Sequence, residues 1–367
     1  MNGANPGWAA GAEWLRAEGE ACDVVMSSRV RLARNLAGYP FMTRATGEDR
    51  VQVLDLCRRR ILSDEFKHAS GVDRVMWVDL HEVDKLECDV LVERHLISRQ
   101  HARGKLSTGK GGPTCARAVA IGLPGERVAV MVNEEDQLRI QVIRSGLALS
   151  ALLEQVDRID DALEQGLDYA FHPRFGYLTA CPTNIGTGIR CSVMLHLPAL
   201  KLTGDLERVK RAAEDMSLAV RGFYGEGSDA AGDLYQVSNQ TTLGKSEHVL
   251  VHELEREIVP RIIDYERHAR RTLLEKRRAM IDDKTNRALG VLRTARLLGV
   301  EESMQLLSHA RLGVLLGLVE GVEQQRINDL MLQVQQAHLQ CAVSRELTQQ
   351  QRRIERADMV RARLAGT

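Results

Sequence analysis

Five arginines in four segments, three of them beside glycine-rich or acidic turns, suit an anion carrying several negative charges. In Ser27-Ser28-Arg29-Val30-Arg31 the two arginines alternate at i, i+2, which on a strand places both side chains on one face. Arg139 follows the acidic run Asn133-Glu134-Glu135-Asp136. Arg190 closes the turn Cys181-Pro-Thr-Asn-Ile-Gly186-Thr-Gly188-Ile-Arg190, and Arg221 opens Arg221-Gly-Phe-Tyr-Gly225-Glu226-Gly227. Phosphoryl transfer calls for such a set. Nucleotide phosphates bring several charges, and the transition state spreads charge over the equatorial oxygens. Arginine is permanently cationic and grips phosphate oxygens in a fork, while glycine lets the backbone come close.

Two other patterns carry less. Gly104 to Lys110 matches GxxxxGK, but Gly111 stands where a P-loop needs Ser or Thr, and the preceding Arg94 to Arg103 is too polar for a P-loop strand. His248 and His252 share an i, i+4 spacing without an HExxH pattern or a third ligand, so they are read as a solvated helix face.

Elements that position the arginines follow from the apolar pattern. Residues 1–22 are expected to be a short leader, with one helix around Ala9 to Ala21. Residues 23–260 mix short β-branched runs, such as Val128 to Val132 and Cys191 to Leu197, with amphipathic stretches at Gly47 to Leu62 and Gly146 to Gln165. Strands and helices do not alternate strictly, which predicts an α+β domain. After Pro260 there is no further proline, Phe or Trp, and the periodicity is helical. Residues 261–367 are therefore expected to form an all-α C-terminal domain, with helices at Arg261 to Met280, Asp282 to Leu298, Glu301 to Gly317, Glu320 to Gln340 and Thr348 to Leu364.

Lys+Arg and Asp+Glu balance at 50 each, which gives no sign of a nucleic-acid partner. From Arg261 onward the chain holds 19 basic and 13 acidic residues, a surplus that fits an anion- or partner-docking face but on the count alone reads first as ordinary helical surface charge. Seven cysteines with no CxxC spacing argue against a zinc ribbon or disulfide framework and for reduced thiols in the cytoplasm. No run approaches the ~18 apolar residues of a membrane span, and the first twenty residues have no charged region followed by an apolar run, so they are not read as a signal peptide.

Taken in order, SSRVRLARN, NEED, CPTNIGTGIR, RGFYGEG and SNQTTLGKSE resemble the ATP:guanidino phosphotransferase (phosphagen kinase) family over residues 23–256. The resemblance implies a catalytic domain with an antiparallel sheet flanked by helices, ATP as phosphoryl donor and Mg on its phosphates. Nucleotide would be bound by Ser27, Ser28, Arg29, Val30, Arg31, His95, Arg139, Arg190, Cys191, Ser192, Val193, Met194, Arg221, Gly222, Phe223, Tyr224, Gly225 and Glu226. Glu135 would hold the guanidinium and act as catalytic base, Glu226 would be the second carboxylate, and Cys181 would lie alongside as a thiolate. Gln137 follows NEED where the family usually has His, an exchange expected to alter a neighbour of the site and not its chemistry.

Within the family the chain is similar to the bacterial protein-arginine kinase branch. VERHLIS, the helical C-terminal part and a short leader in place of the long N-terminal domain of metazoan relatives carry that likeness. It implies phosphorylation of arginine residues in proteins during stress and protein quality control, a homodimer, a zinc-binding activator and a Clp protease as partners. Alternatives are a kinase for free arginine and a non-catalytic phosphoarginine adaptor. Relatives in that branch carry an RDxxRA motif that binds phosphoarginine. The matching Arg352-Arg353-Ile-Glu-Arg356-Ala357 keeps both arginines, Arg352 and Arg356, and has Arg353 at the Asp position.

Overall fold

Alternation of branched apolar residues with polar ones makes the strands two-faced, and the helices take up the apolar face. The computed structural model describes residues 11–104, 115–222, 231–343 and 345–365. Its strands are β1 (Val25–Arg34), β2 (Arg74–Asp79), β3 (Ala118–Leu123), β4 (Val128–Val132), β5 (Leu138–Ser145), the short pair β6 (Phe171–His172) and β7 (Gly176–Tyr177), β8 (Ile189–His196), β9 (Leu218–Arg221) and β10 (Leu234–Asn239). Eight of them form one sheet in the order β2-β3-β4-β5-β1-β8-β10-β9, with every pair antiparallel. β1 thus lies inside the sheet, between β5 and β8.

One face of the sheet is apolar. Val30, Leu32, Ile140, Val142, Val193 and Leu195 are buried there, together with Leu152, Val156 and Ile159 of the helix Leu149–Glu164. At about 25 cal/mol per Å² of buried apolar surface, this layer is the main stabiliser of the catalytic unit. It leaves the other face of β1, β5, β8 and β10 available for polar side chains. The expected α+β class is what the structure shows.

The C-terminal part is helical: Val259–Lys276, Arg278–Thr294, Val300–Leu315, Gln324–Gln333, Gln336–Ala342 and Gln349–Ala365. Three features differ from the sequence expectation. Pro260 does not separate two units. It sits at the start of Val259–Lys276, inside a continuous helical run, directly after a π turn at Glu253–Ile258 that widens the helix. Ile262, Ile263 and Leu273 belong to the catalytic core, and Glu266, fully buried, accepts from the N–H groups of Ala199 (3.1 Å) and Leu200 (3.0 Å). We propose the domain boundary after Lys276, where Arg277 leaves helical geometry at φ −139°.

Residues 11–22 are also no free leader. Among the described residues the only helical turn there is Glu13–Leu15. Trp14 and Leu15 are buried among C-terminal helices, and the Leu15 carbonyl accepts from Asn328 Nδ2 at 2.9 Å. Finally, the helix expected over Glu320 to Gln340 breaks at Gln335, which is extended (ψ 156°). The break frees the N–H groups of Ala337 and His338, and Glu93 accepts both at 2.8 and 2.9 Å as a cap from the catalytic unit.

Candidate active site

Strand register assembles the arginines. Arg29 lies opposite Ser192, Arg31 opposite Arg190, and Ala33 opposite Arg139. Further out, Ser192 faces Ser238, Met194 faces Gln236, and Gln236 faces Arg221. Paired residues share a face, so Arg29, Arg31, Arg190 and Arg221 all project from the polar side of the sheet.

The partners of these cations are unusual. Arg29 donates to Gln236 Oε1 at 3.0 Å and weakly to Ser192 Oγ at 3.4 Å, and Arg190 donates to Ser238 Oγ at 3.1 Å. Among the described residues neither Arg29 nor Arg31 has a carboxylate within ion-pair distance, and Arg31 Nε has no hydrogen-bond partner. Burial, then Arg190 and Arg139, push the Arg29 guanidinium down to about 10. Burial, then Arg29, Arg139 and Arg190, lower Arg31 well below its ordinary value against an opposing pull from Glu134. Mutual repulsion in a sheltered site is what a polyanion relieves.

Arg139 marks where this cationic face meets the acidic turn. Its Nη1 donates to Glu134 at 2.7 Å and its Nη2 to Glu135 Oε2 at 3.4 Å. Burial lowers the Arg139 pKa, but Glu134, Asp136, Glu135 and Cys181 outweigh it and raise the group above its ordinary value. Burial likewise raises Glu134, yet Arg139, His101, Ser98 Oγ at 2.6 Å and the Glu135 N–H hold its carboxylate at about 2. Glu134 is therefore the anchor, buried to 3% exposure, and Glu135 is the more open carboxylate of the pair.

The turn itself is tied down from below. Asn133 adopts a left-handed φ of 61°, with its side-chain amide donating to the carbonyls of Arg50 and Ala116. Asp136 accepts from Asn35 Nδ2 at 2.8 Å and from the Ala180 N–H at 2.7 Å, linking the acidic turn to the loop that carries Cys181. Gln137 is 1% exposed and bonds the Leu36 N–H (2.6 Å) and the Pro40 carbonyl (3.1 Å). Its amide thus serves the framework under the turn.

Cys181 is half-buried, with Sγ 3.0 Å from Thr183 Oγ1. The loop after it needs glycine twice. Gly186 has φ 109°, and a Cβ there would lie 2.5 Å from the Thr242 carbonyl oxygen. Gly188 has φ 67°, with Ala33 O at 2.6 Å from the same imagined atom. Arg34 holds this loop: it donates to Thr187 O at 2.9 Å, pairs with Asp160 at 2.6 Å and lies 3.6 Å over the Tyr177 ring.

His95 takes φ 60°, packs edge-on against Trp14 at 4.8 Å, and its carbonyl accepts from Gln141 Nε2 at 2.8 Å. Burial first, then Arg29, Arg31 and Arg99, lower its imidazole to about 3, so it is neutral at physiological pH.

The remaining sequence candidates divide by face. Ser27 and Ser192 share the arginine face. Met194 does too, but packs with C-terminal helices. Val30, Cys191 and Val193 point the other way into the core, because neighbours in a strand alternate. Ser28 also turns away and accepts from the Ala148 N–H at 3.0 Å. The side chains of these four support the strands and do not face the arginines. Gly222 follows β9 and is buried. Phe223, Tyr224, Gly225 and Glu226 lie outside the described residues, as does the GxxxxGK match beyond Gly104.

Arg356, expected to bind phosphoarginine, is engaged by the framework in this structure. It is 3% exposed and donates to Val334 O (2.7 Å), Leu298 O (3.0 Å) and Arg352 O, so backbone carbonyls occupy its fork. Arg352 is less buried and donates to Leu347 O at 2.7 Å. Gln236, Ser238, Gln141, Glu134 and Asp136 escaped the sequence search. NEED contained two of them, but no local signal separates anchor from open carboxylate.

Comparison with known proteins agrees with this geometry. Residues 59–269 match the ATP:guanido phosphotransferase C-terminal catalytic domain, and residues 278–367 match the protein-arginine kinase McsB C-terminal domain. The chain is 44% identical over 355 residues to a protein-arginine kinase of Symbiobacterium thermophilum, covering 97% of each. It is 42% identical to that of Moorella thermoacetica, covering 97% of this chain and 98% of the relative. A taurocyamine kinase from Schistosoma mansoni superposes with TM-score 0.56 at 25% identity, covering 69% of this chain; the match spans only 34% of that duplicated enzyme. Lombricine kinase gives 0.55 at 24% identity, covering 72% and 73% of the two chains, and speaks for the fold. An arginine-lined sheet face meeting an acidic turn, in a chain with these relatives, places this protein in the ATP:guanido phosphotransferase family.

Proposed function

We infer that this chain is an ATP-dependent kinase that phosphorylates arginine side chains in proteins. The observation that carries the reading is the junction at Arg139, where the face holding Arg29 and Arg31, mutually repelling cations, meets the partly exposed carboxylate Glu135. Likeness to protein-arginine kinases over nearly the whole chain supports a protein as acceptor.

Arg29, Arg31, Arg139 and Arg190 would bind the nucleotide phosphates and hold the charge that spreads over the transferring group. A guanidinium is protonated at neutral pH and is a poor nucleophile. Glu135 would orient its planar fork and accept the N–H proton as the N–P bond forms and the bond to ADP breaks. Cys181 would lie beside the same guanidinium, with Glu226 as a second carboxylate. Neutral His95 would contact the nucleotide. Holding donor and acceptor in line supplies about 7–11 kcal/mol in well-oriented systems.

Among the described residues no group of three or more His, Cys, Asp or Glu could hold a metal ion. The donor set of this face is cationic, so Mg would arrive on the phosphate oxygens of ATP, where it neutralises charge. We extend the reading to a homodimer in the cytoplasm, working in stress response with a zinc-binding activator and a Clp protease; the free cysteines fit a reducing compartment. No described helix is long and apolar enough to cross a membrane.

The test is incubation with γ-labelled ATP and either casein or free arginine. Acid-labile, alkali-tolerant label on casein, with free arginine much poorer, is expected. Label on Ser, Thr or Tyr, or comparable turnover of free arginine, would defeat the reading.

A further inference from the structure

Single exposed apolar side chains are ordinary, but several that meet at the edge of a site are not. Phe171 is 56% exposed, Phe175 41% and Leu243 57%. The first two sit on the β6–β7 hairpin. The Phe171 ring lies 5.3 Å from that of Tyr177, and the Tyr177 N–H donates to Gly186 O at 2.8 Å. Gly186 in turn packs on Leu243: a Cβ at Gly186 would stand 3.1 Å from the Leu243 Cα. The preceding residue, Thr242, donates to the carbonyls of Thr183 and Ile185 in the Cys181 loop at 2.9 and 2.7 Å. Phe171, Tyr177, Gly186, Leu243 and Thr183 thus form a contiguous border that ends at Cys181.

The border is also rigid. Arg34, 2% exposed and paired with Asp160, stacks under Tyr177. A rigid framework that holds phenylalanine rings in water gains little for its own stability; it does present a preformed apolar surface to whatever reaches Cys181.

We propose that Phe171, Phe175 and Leu243 form a docking rim for apolar side chains that flank the target arginine in an unfolded stretch of a substrate protein. The proposal rests on the protein-arginine kinase reading. An arginine inside a folded domain has its apolar neighbours buried and cannot use the rim; an arginine in an unfolded stretch can. The rim therefore selects unfolded chain by the same burial that folding uses.

The test uses the full chain, ATP and two peptides with one central arginine, one flanked by Leu, Phe and Val, the other by Gly and Ser. The wild-type protein should favour the apolar peptide about tenfold in kcat/KM, mostly through KM. In the combined variant Phe171→Ser, Phe175→Ser, Leu243→Ser the preference should vanish, with the KM for ATP and the rate on the Gly/Ser peptide unchanged. Equal use of the two peptides by wild type, or a preference that survives in the variant, overturns the rim alone. Loss of a dimer by the variant in sedimentation shows the rim to be a contact with a second copy and overturns it too. Label on free arginine and on neither peptide defeats the protein-substrate reading itself.

Discussion

Buried arginines occur here in two kinds. Arg34, Arg94, Arg311 and Arg356 serve the framework, held by a carboxylate or by carbonyl oxygens, although burial and Arg270 still push the Arg311 guanidinium down to about 9. Arg34 pairs with Asp160, Arg94 with Glu126 at 2.8 Å, Arg311 donates to Cys22 O, Asp23 O and Asn328 Oδ1, and Arg356 to three carbonyls. Arg29 and Arg31 have no carboxylate within ion-pair distance among the described residues: Arg29 donates to neutral side-chain oxygens, and around Arg31 three arginines outweigh the pull of Glu134. A framework arginine stabilises the fold through the partner it holds. An uncompensated one costs the empty protein energy that a phosphate returns on binding. Arg139 is intermediate, fixed by Glu134 and yet adjacent to the arginine face.

Removing residues 261–367 would delete two of the four framework arginines, Arg311 and Arg356, together with Ile262, Ile263, Leu273 and Glu266. It should abolish cooperative thermal unfolding of what remains. A soluble fragment with a sharp transition would show that the helix Val259–Lys276 is dispensable to the core. Next in size, Glu135→Ala should cut turnover by about 10²–10⁴ while the thermal shift given by ATP persists, since this carboxylate faces the guanidinium and not the phosphates. Retention of more than a few per cent of turnover would remove Glu135 as base.

The comparison itself is tested by one pair of variants. Arg34→Met should lower the unfolding free energy of the nucleotide-free protein by about 3–5 kcal/mol, because Asp160 is left buried without its partner. Arg31→Met should leave that stability unchanged or raised and weaken ATP binding by about 1.5–3 kcal/mol. Equal destabilisation in a denaturant titration would erase the distinction between the two kinds.

The smallest expected effect is a flat line. Glu134 is held at about 2, below the ordinary carboxylate value, so its stabilisation is complete above that ordinary value and lost as pH falls toward 2. The stability difference between wild type and Glu134→Gln should be constant from pH 8 to pH 5 and shrink below about pH 4. A difference that already falls between pH 7 and pH 5 would mean that Glu134 is not anchored by Arg139.

Much of the site was legible because it depends on local geometry. The two-residue repeat of a strand puts Arg29 and Arg31 on one face wherever that strand lies. The same repeat turns Val30, Cys191 and Val193 to the core, a consequence available from the pattern but hidden when whole motifs are assigned to a ligand. Gly186 and Gly188 in CPTNIGTGIR announced a loop with left-handed backbone.

What stayed hidden depends on partners far along the chain. Gln236 and Ser238 join the arginine face only through the register of β10 on β8, some forty residues away. The helix that starts after the break at Gln335 is capped by Glu93, and the helical run continues through Pro260 after a π turn. Side-chain periodicity is imposed by the backbone of one segment, so the sequence alone determined which residues share a face. Which carboxylate anchors and which stays open, and which arginines the framework holds and which are left for an anion, are set by cross-strand register and interdomain packing. Those contacts join segments whose spacing in the chain carries no trace of their meeting.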